Sequence, residues 1–544
     1  MNKHTAALLA QHFDTAFAAP NGIKKLRELI LTLAMQGKLV PQDPSDPPAS
    51  ELLKEIEAEK KRLVKAGKIK APKPLSPLTE DEKPYALPQG WEWVRLGDIG
   101  QTQTGTTPKS GDHSSYGKDI PFIKPADITA NAVDYSNEAL SFSGVEKYGR
   151  LAPAGSSLMV CIGTIGKTNI INRDCSFNQQ INAISPYLPL FPQYLQQFLR
   201  SSFFQNECWN QSSSTTIAIL NKGKWESIPV GIPPLSEQRR IVAKIDELMT
   251  RCDALEKLRT AQEEKRMAVH TAAMTQLLNI AQTEAHQRAK TFLADHFGEL
   301  YTVKENVAEL RKAILQLAVM GKLVPQDPSD PPASELLKEI EAEKKRLVKA
   351  GKIKAPKPLP PVSEEEKPYA LPQGWEWVRL GALVTVQTGK KDVNEGHESG
   401  LYPFFSCASA PLKSNNFSFD CEALLLPGNG ANVGQVTRYN GKFEAYQRTY
   451  ILSDFLFDIA SYLEKVLNAR FLKSIEGKQY GSAINYIKIG NLTDLLVPLP
   501  PLAEQHRIVA KIDELMALCD SLDQQVDAAT AKQNALLFAV MAAL

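Results

Sequence analysis

The chain has 544 residues, 43% hydrophobic and 23% charged. At about 100–200 residues per domain this implies several folded units and excludes disorder of the whole chain. Its 63 basic and 61 acidic side chains leave a net charge of +2, so any nucleic-acid face must come from local clustering. No run reaches the roughly 18 apolar residues of a membrane span. The short patch Ala6 to Ala10, broken by Gln11, His12 and Asp14, does not read as a signal peptide. Seven scattered cysteines (Cys161, Cys175, Cys208, Cys252, Cys407, Cys421 and Cys519) form no Cys-x-x-Cys pair. They predict reduced thiols in a cytoplasm and no metal site.

The chain is written twice. Gly37 to Gly97 returns as Gly321 to Gly381 at an offset of 284, with only Ser76/Pro360, Leu78/Val362, Thr79/Ser363 and Asp81/Glu365 differing. Upstream, Leu9, His12 and Phe13 match Leu293, His296 and Phe297. Ile23, Leu26, Ile30 and Leu33 match Val307, Leu310, Ile314 and Leu317 at helical spacing. A second block, Pro233 to Met249, returns as Pro500 to Met516 at an offset of 267. The material between the blocks therefore differs in length by 284 − 267 = 17 residues, and it shares little sequence. Two near-identical frames hold two different inserts.

Within the frame, Ser50 precedes Glu51 and predicts a helix capped by Ser50 and ending at Gly67. Lys60, Lys61, Arg62, Lys65, Lys68, Lys70 and Lys73 place seven bases and no acid in fourteen residues, and recur as Lys344, Lys345, Arg346, Lys349, Lys352, Lys354 and Lys357. They are either a solvated helix face or a clamp for phosphates or a partner. The proline-rich stretch to Pro77 predicts an extended strap. Leu87-Pro88-Gln89-Gly90-Trp91 leads into a strand that opens the insert. The inserts carry short apolar runs broken by Gly, Pro, Asn and Ser, which predicts mixed α/β with short strands. The second block opens the clearest helix. Ile508, Ile512, Leu515, Cys519, Leu522, Val526, Ala529, Gln533, Leu536 and Val540 follow 4-3 spacing, and Ile241, Ile245, Leu248, Cys252 and Leu255 begin the other copy in the same way. A helix from Leu502 to Ala543 would span roughly 60 Å at 1.5 Å per residue. The two copies are expected to pair as a rigid spacer with an insert at each end.

Several motifs resemble catalytic ones and fail on inspection. Gly163-Thr164-Ile165-Gly166-Lys167-Thr168 looks like the end of a phosphate-binding loop, but Cys161 stands where the first glycine is needed, and a strand follows instead of a helix. Gly428-Asn429-Gly430-Ala431-Asn432-Val433-Gly434 is one residue too long for a dinucleotide fingerprint. Asp46-Pro47-Pro48-Ala49 lacks the terminal aromatic residue that stacks on a flipped base. Glu59-Lys60-Lys61 has nuclease spacing but sits on a helix. His12 and His296, beside Phe, read as packing residues. No nucleophile–base pair and no metal-ligand spacing emerges, so the sequence predicts no catalytic and no metal residues.

The tandem pattern resembles the specificity (S) subunits of type I restriction–modification systems. The resemblance rests on Lys25-Leu26-Arg27-Glu28-Leu29-Ile30-Leu31, Gly37-Lys38-Leu39-Val40-Pro41-Gln42-Asp43, Leu87 to Trp91, and the two Pro-Pro-Leu-x-Glu-Gln blocks. In the inserts it rests on Gly105-Thr106-Thr107-Pro108, Ile120 to Lys124, Asn178 to Asn182, Gly428 to Gly434 and Tyr446-Gln447-Arg448-Thr449. It implies a mixed α/β fold: two target-recognition domains separated by a pair of long antiparallel coiled-coil helices, as a tandem pseudo-twofold repeat. The implied parts are 1–97 (helical and extended frame), 98–231 (recognition domain 1), 232–290 (central helix), 291–381 (second frame), 382–498 (recognition domain 2) and 499–544 (C-terminal helix). The implied function is non-catalytic, with each domain reading one half of a bipartite double-stranded DNA target. Two methylation subunits using S-adenosylmethionine, and restriction subunits using ATP and Mg, would supply the chemistry in the cytoplasm, away from any membrane. A protein scaffold whose inserts bind partners is the alternative. Amides and arginines suit base edges and lysines suit phosphates. The expected DNA-binding residues are therefore Thr106, Thr107, Lys109, Lys124, Thr164, Lys167, Asn178, Gln179 and Gln180 in the first insert. In the second they are Lys390, Lys391, Asn429, Asn432, Arg438, Gln447, Arg448 and Lys488. Gln179 and Gln447 are expected to occupy equivalent places.

Overall fold

The two repeated blocks, far apart in sequence, meet in the folded frame. In the computed structural model, all residues are described except 1–10, 12, 110, 189–191, 214–216, 280–282, 352, 354, 356–357, 477–485 and 543–544. Leu9, His12, Lys352, Lys354, Lys357 and Ala543 thus lie outside the described residues. The chain divides into two units, 1–262 with 530–544, and 263–529.

In unit 1 the frame contains helices α1 (Gly22–Met35) and α2 (Ala49–Lys65). Pro48, not Ser50, is the N-cap of α2, and Ser50 lies inside its first turn; the chain enters extended through two prolines, whose fixed φ suits a helix start. Strand β1 (Glu92–Arg95) pairs antiparallel with β9 (Pro229–Ile232), so the insert leaves and returns to the frame at one two-stranded ribbon. Immediately after β9 comes a helix of 44 residues, Leu235–Leu278.

The repeated motifs are the joints between these parts. The Trp91 indole N–H donates to the Glu237 carboxylate at 3.0 Å, and the Gln42 side chain donates to the same carboxylate. Glu237 is buried, and burial pushes its carboxyl pKa up. Gln238 turns back and donates to the Pro233 carbonyl at 3.0 Å, while Asp46 pairs with Arg240 at 2.6 Å. Unit 2 repeats every joint: Trp375–Glu504 at 2.9 Å, Gln326–Glu504 at 3.1 Å, Gln505–Pro500 at 2.9 Å and Arg507–Asp330 at 2.6 Å. The Asp-Pro-Pro-Ala motif is thus structural.

The apolar stripes on the long helices are covered, over their first halves, inside their own units. Ile241, Ile245 and Cys252 are buried in one core cluster with Ile23 and Ile30 of α1, and Arg27 reaches across to Asp253 and Glu256, both at 2.7 Å. In unit 2, Ile508, Ile512 and Cys519 share a core with Val307 and Ile314 of the helix Lys304–Val319, and Arg311 reaches Asp520 and Asp523, both at 2.8 Å. Heptad spacing alone does not distinguish this cover from a second long helix. The C-terminal helix Leu502–Ala542 ends with Leu537 and Val540 buried against Ala16, Phe17 and Leu29 of unit 1.

The proline-rich straps hold no helix or strand among their described residues, and each is held by one buried arginine. Arg95 donates to the carbonyls of Ser76, Pro77 and Ser227 and pairs with Glu82 at 2.9 Å; Arg379 makes the same set with Pro360, Pro361, Asp494 and Glu366. Replacing Arg95 by Ala strips three carbonyls of a charged donor. This is expected to cost about 2–4 kcal/mol, visible as a lower melting temperature and protease cleavage within residues 68–83.

Each insert is a mixed α/β domain. Domain 1 has a four-stranded sheet ordered β2-β8-β5-β6 (Gly100–Thr104, Ile181–Pro186, Ser157–Val160 and Thr168–Ile170). The strands of a three-stranded sheet, β4-β3-β7 (Ala139–Leu140, Tyr116–Ile123 and Ser176–Phe177), interleave with it along the chain. Domain 2 has one six-stranded sheet ordered β11-β16-β14-β15-β12-β13, built from Thr385–Thr388, Thr449–Ser453, Phe419–Pro427, Thr437–Ala445, Tyr402–Phe405 and Leu412–Ser414. Registers relate the two. Gln103 faces Ala183 as Gln387 faces Ile451, and Leu158 faces Ala183 as Leu425 faces Ile451. Strand β15 does in one run what β6 and β7 do in two, because domain 1 breaks the strand at 171–175. Among the described residues, no helix is long and apolar enough to cross a membrane.

Candidate nucleic-acid interface

The two domains share almost no sequence, yet the loops after β2 and β11 are bonded in the same way. Gly105 N donates to Ile181 O at 3.0 Å and Thr106 N to Phe177 O at 3.1 Å; Gly389 N donates to Thr449 O at 3.0 Å and Lys390 N to Ala445 O at 3.1 Å. Asn178 N donates to Ile123 O and Tyr446 N to Phe405 O, at 3.0 and 2.9 Å. Cys161 N donates to Gln180 O and Gly428 N to Arg448 O, both at 2.8 Å. Gln179 and Gln447 therefore stand at the same position, exposed at the tip of a loop fixed on three sides. Gly105 and Gly389 are needed for this approach, since a Cβ on either would collide with backbone carbonyls, those of Phe177 and Asn178 or of Ala445 and Tyr446.

The two glycine motifs that resemble nucleotide loops are connections at equivalent places, one residue different in length between their positive-φ glycines. Gly163 and Gly430 sit at φ of 81° and 82°, Gly166 and Gly434 at 92° and 101°. Each turn joins two antiparallel strands, β5 to β6 and β14 to β15. The Cys161 thiol beside the first turn is buried, and burial pushes its pKa up to about 11. It is packing, not a nucleophile.

The expected residues divide by what their polar groups already do. The Thr106 hydroxyl donates to the Tyr148 carbonyl. Asn178 accepts from Gln180 N and donates to its side chain, both at 3.1 Å. Lys124 pairs with Glu138 at 2.7 Å and Lys167 donates to Pro125 O at 2.8 Å. In domain 2, Lys391 pairs with Glu395 at 2.8 Å, Asn432 donates to Cys407 O at 2.9 Å, and Arg438 holds Glu422 and Ser461. Asn429 bridges to Tyr486, and Lys488 is the N-cap of the short helix Ile489–Thr493 beside the same turn. These groups build the loops. Thr107, Lys109, Thr164 and Gln179 in domain 1 remain exposed, as do Lys390, Gln447 and Arg448 in domain 2. Thr107 and Gln179 hydrogen-bond to each other, and Lys390 lies over the Phe419 ring at 5.3 Å.

Sequence reasoning missed one wall of this edge. Ile123 corresponds to Phe405 (offset 282) and Leu158 to Leu425 (offset 267), so domain 1 carries 15 more residues between these strands. They include the helix Phe142–Tyr148 and the turn to Arg150, which with Thr107 and Gln179 line a cleft of about 610 Å³. Lys147 on this wall is held by Asp112 at 2.7 Å, and the same bond lowers the Asp112 carboxyl far below the usual carboxylate range.

Part of the basic run in each frame is neutralised within its own helix. Lys60 and Lys61 pair with Glu57, and Arg62 with Glu59 at 2.6 Å. Lys345 and Arg346 pair with Glu341 and Glu343, both at 2.6 Å, and Lys344 donates to Ala382 O at 2.7 Å. Lys65, Lys68, Lys70 and Lys73 remain to face solvent or a partner.

Residues 88–264 and 372–529 match the family described as Type I restriction modification DNA specificity domain. The chain is 35% identical over 566 residues to the type I restriction enzyme EcoAI specificity subunit of Escherichia coli, spanning 95% of this chain and 92% of that one. It is 33% identical over 558 residues to the EcoEI specificity subunit of Escherichia coli, spanning 94% and 92%. A solved HsdS subunit from Thermoanaerobacter tengcongensis aligns over 84% of this chain and 98% of its own, at 18% identity and a TM-score of 0.42.

Proposed function

Because the chain belongs to the type I restriction–modification DNA specificity family, we propose that it reads a bipartite DNA target through the loop pairs built on Gly105 and Gly389. One observation carries this reading. The same three-sided backbone support presents Gln179 in one domain and Gln447 in the other, while the side chains around them differ. A shared scaffold with different exposed groups is what two unlike half-sites require. Thr107, Thr164 and Gln179 read the first half-site, and Gln447 and Arg448 the second; Lys109 and Lys390 contact phosphates.

The chain is the reading subunit and not the catalyst. Its two equal frames each dock a methylation subunit, which brings S-adenosylmethionine; restriction subunits bring ATP and Mg. Two like surfaces suit two copies of one partner. The test is a gel shift at increasing salt with DNA carrying the target. Affinity falls steeply with salt, because phosphate contacts release counterions. A scaffold that binds only proteins shows no shifted DNA at any salt. The long helices hold the gap between half-sites. Adding one heptad to both keeps their apolar stripes in phase, and is expected to lengthen the preferred gap in methylated DNA while leaving both half-sites unchanged.

A further inference from the structure

Each recognition domain contains three arginines, and in each domain two of the three are committed to the fold. In domain 1, Arg173 lies over the Tyr135 ring at 4.7 Å and Arg200 donates to Ala130 O at 2.7 Å. In domain 2, Arg438 holds Glu422 and Ser461, and Arg470 is stacked on Trp377 at 4.9 Å and bonded to the Tyr369 hydroxyl at 2.9 Å. That leaves Arg150 and Arg448. Both are exposed, and neither guanidinium makes an ion pair or hydrogen bond among the described residues. Arg448 follows Gln447 directly. Arg150, far from Gln179 in sequence, lines the same cleft as Gln179.

Resting on the DNA-reading function, we infer that Arg150 is a base-reading residue of domain 1, recognising a guanine edge of the first half-site. Its place is fixed rather than floppy. The residues on either side are tied to strand β2 and the loop after it: Thr106 donates its hydroxyl to Tyr148 O, and Gln103 donates to Leu151 O at 3.0 Å. Gly149 N closes the turn onto Val145 O at 2.7 Å. A guanidinium has only donors, in a planar fork, and guanine offers two acceptors, N7 and O6, in the major groove. A phosphate is the poorer occupant, because the Glu146 carboxylate lines the same cleft and repels it. The other cation on this wall, Lys147, is already paired with Asp112. The extra residues of domain 1 thus supply from a separate segment the arginine that domain 2 carries next to its glutamine.

The experiment uses the chain assembled with its methylation subunits and measures affinity for a panel of duplexes with each target base changed in turn. Arg150→Ala and Arg150→Lys are compared with the parent, with Arg448→Ala as the counterpart. The expected result for Arg150→Ala is a loss of about tenfold or more in discrimination at one base pair of the first half-site. The second half-site, the salt dependence and the melting temperature should stay unchanged. Arg150→Lys should leave that discrimination lost, since an ammonium has no planar fork. Uniform weakening across all duplexes, a shallower salt slope and recovery in Arg150→Lys would identify a phosphate contact and overturn the proposal. Unchanged discrimination at every position would overturn it too. Failure of the underlying function looks different: the parent complex itself would show no preference among the duplexes.

Discussion

Replacing Gly389 by Ala is expected to abolish reading of the second half-site and leave the first intact. The added Cβ would collide with the carbonyl oxygens of Ala445 and Tyr446, which are fixed backbone and cannot swing aside as a side-chain end would. The loop must move, which breaks the bonds from Gly389 N to Thr449 O and from Lys390 N to Ala445 O, each about 3 Å long. Overpacking against backbone with two lost hydrogen bonds costs about 3–5 kcal/mol. The loss falls on the loop that presents Gln447. Gly105→Ala should do the same to the first half-site through Phe177 and Asn178. Affinity for duplexes altered in one half at a time checks both. Equal loss at both halves after a single substitution would refute the independence of the two domains.

The double substitution Gln447→Ala with Arg448→Ala is expected to relax recognition without disturbing the fold. Both side chains are exposed, and the backbone bonds on either side of them, Cys407 Sγ and Gly428 N to Arg448 O and Gln447 N to Lys391 O, do not involve their side chains. A well-placed contact to a base edge is worth ~1–3 kcal/mol of discrimination. Losing two should lower specificity for the second half-site by roughly 100-fold or more, at about 1.4 kcal/mol per factor of ten. Melting temperature should not change. Retained specificity would move the reading residues elsewhere, first to Lys390 and to the turn from Gly428 to Gly434.

The frame was legible in the sequence because its parts repeat. Trp91, Gln42, Asp46, Glu237 and Arg240 lie in blocks that recur, and they turn out to be the two sides of single joints. The equivalence of Gln179 and Gln447 was legible too, since each follows a strand-and-glycine-turn unit. Other features were not. The basic run counted from Lys60 hides its partners, because Glu57 and Glu59 lie one helical turn upstream. The two glycine motifs looked unlike each other because an extra residue in Gly430 to Gly434 masks their equivalent place between two antiparallel strands. Arg150 was invisible for a stronger reason. It reaches the cleft through tertiary bonds from Thr106 and Gln103, and no local periodicity encodes those. In the apolar stripe from Ile508 to Leu522, Ile508, Ile512 and Cys519 are buried and Leu515 and Leu522 half-buried. What covers it depends on the helix Lys304–Val319, whose own spacing is equally short of a partner's name.

The most direct test of the account is to build a chain with recognition domain 2 in both frames, replacing 98–231 by 382–498, and to map the bases methylated by its complex with the partner subunits. The frames meet each insert at the same two-stranded ribbon, β1 with β9 and β10 (Glu376–Arg379) with β17 (Leu496–Leu499), so the exchange preserves both junctions. If each domain reads its own half through its own loops, the methylated target must carry the second half-site on both sides of the gap. A target that keeps the original first half-site would contradict the account, since the residues assigned to reading it would no longer be in the chain.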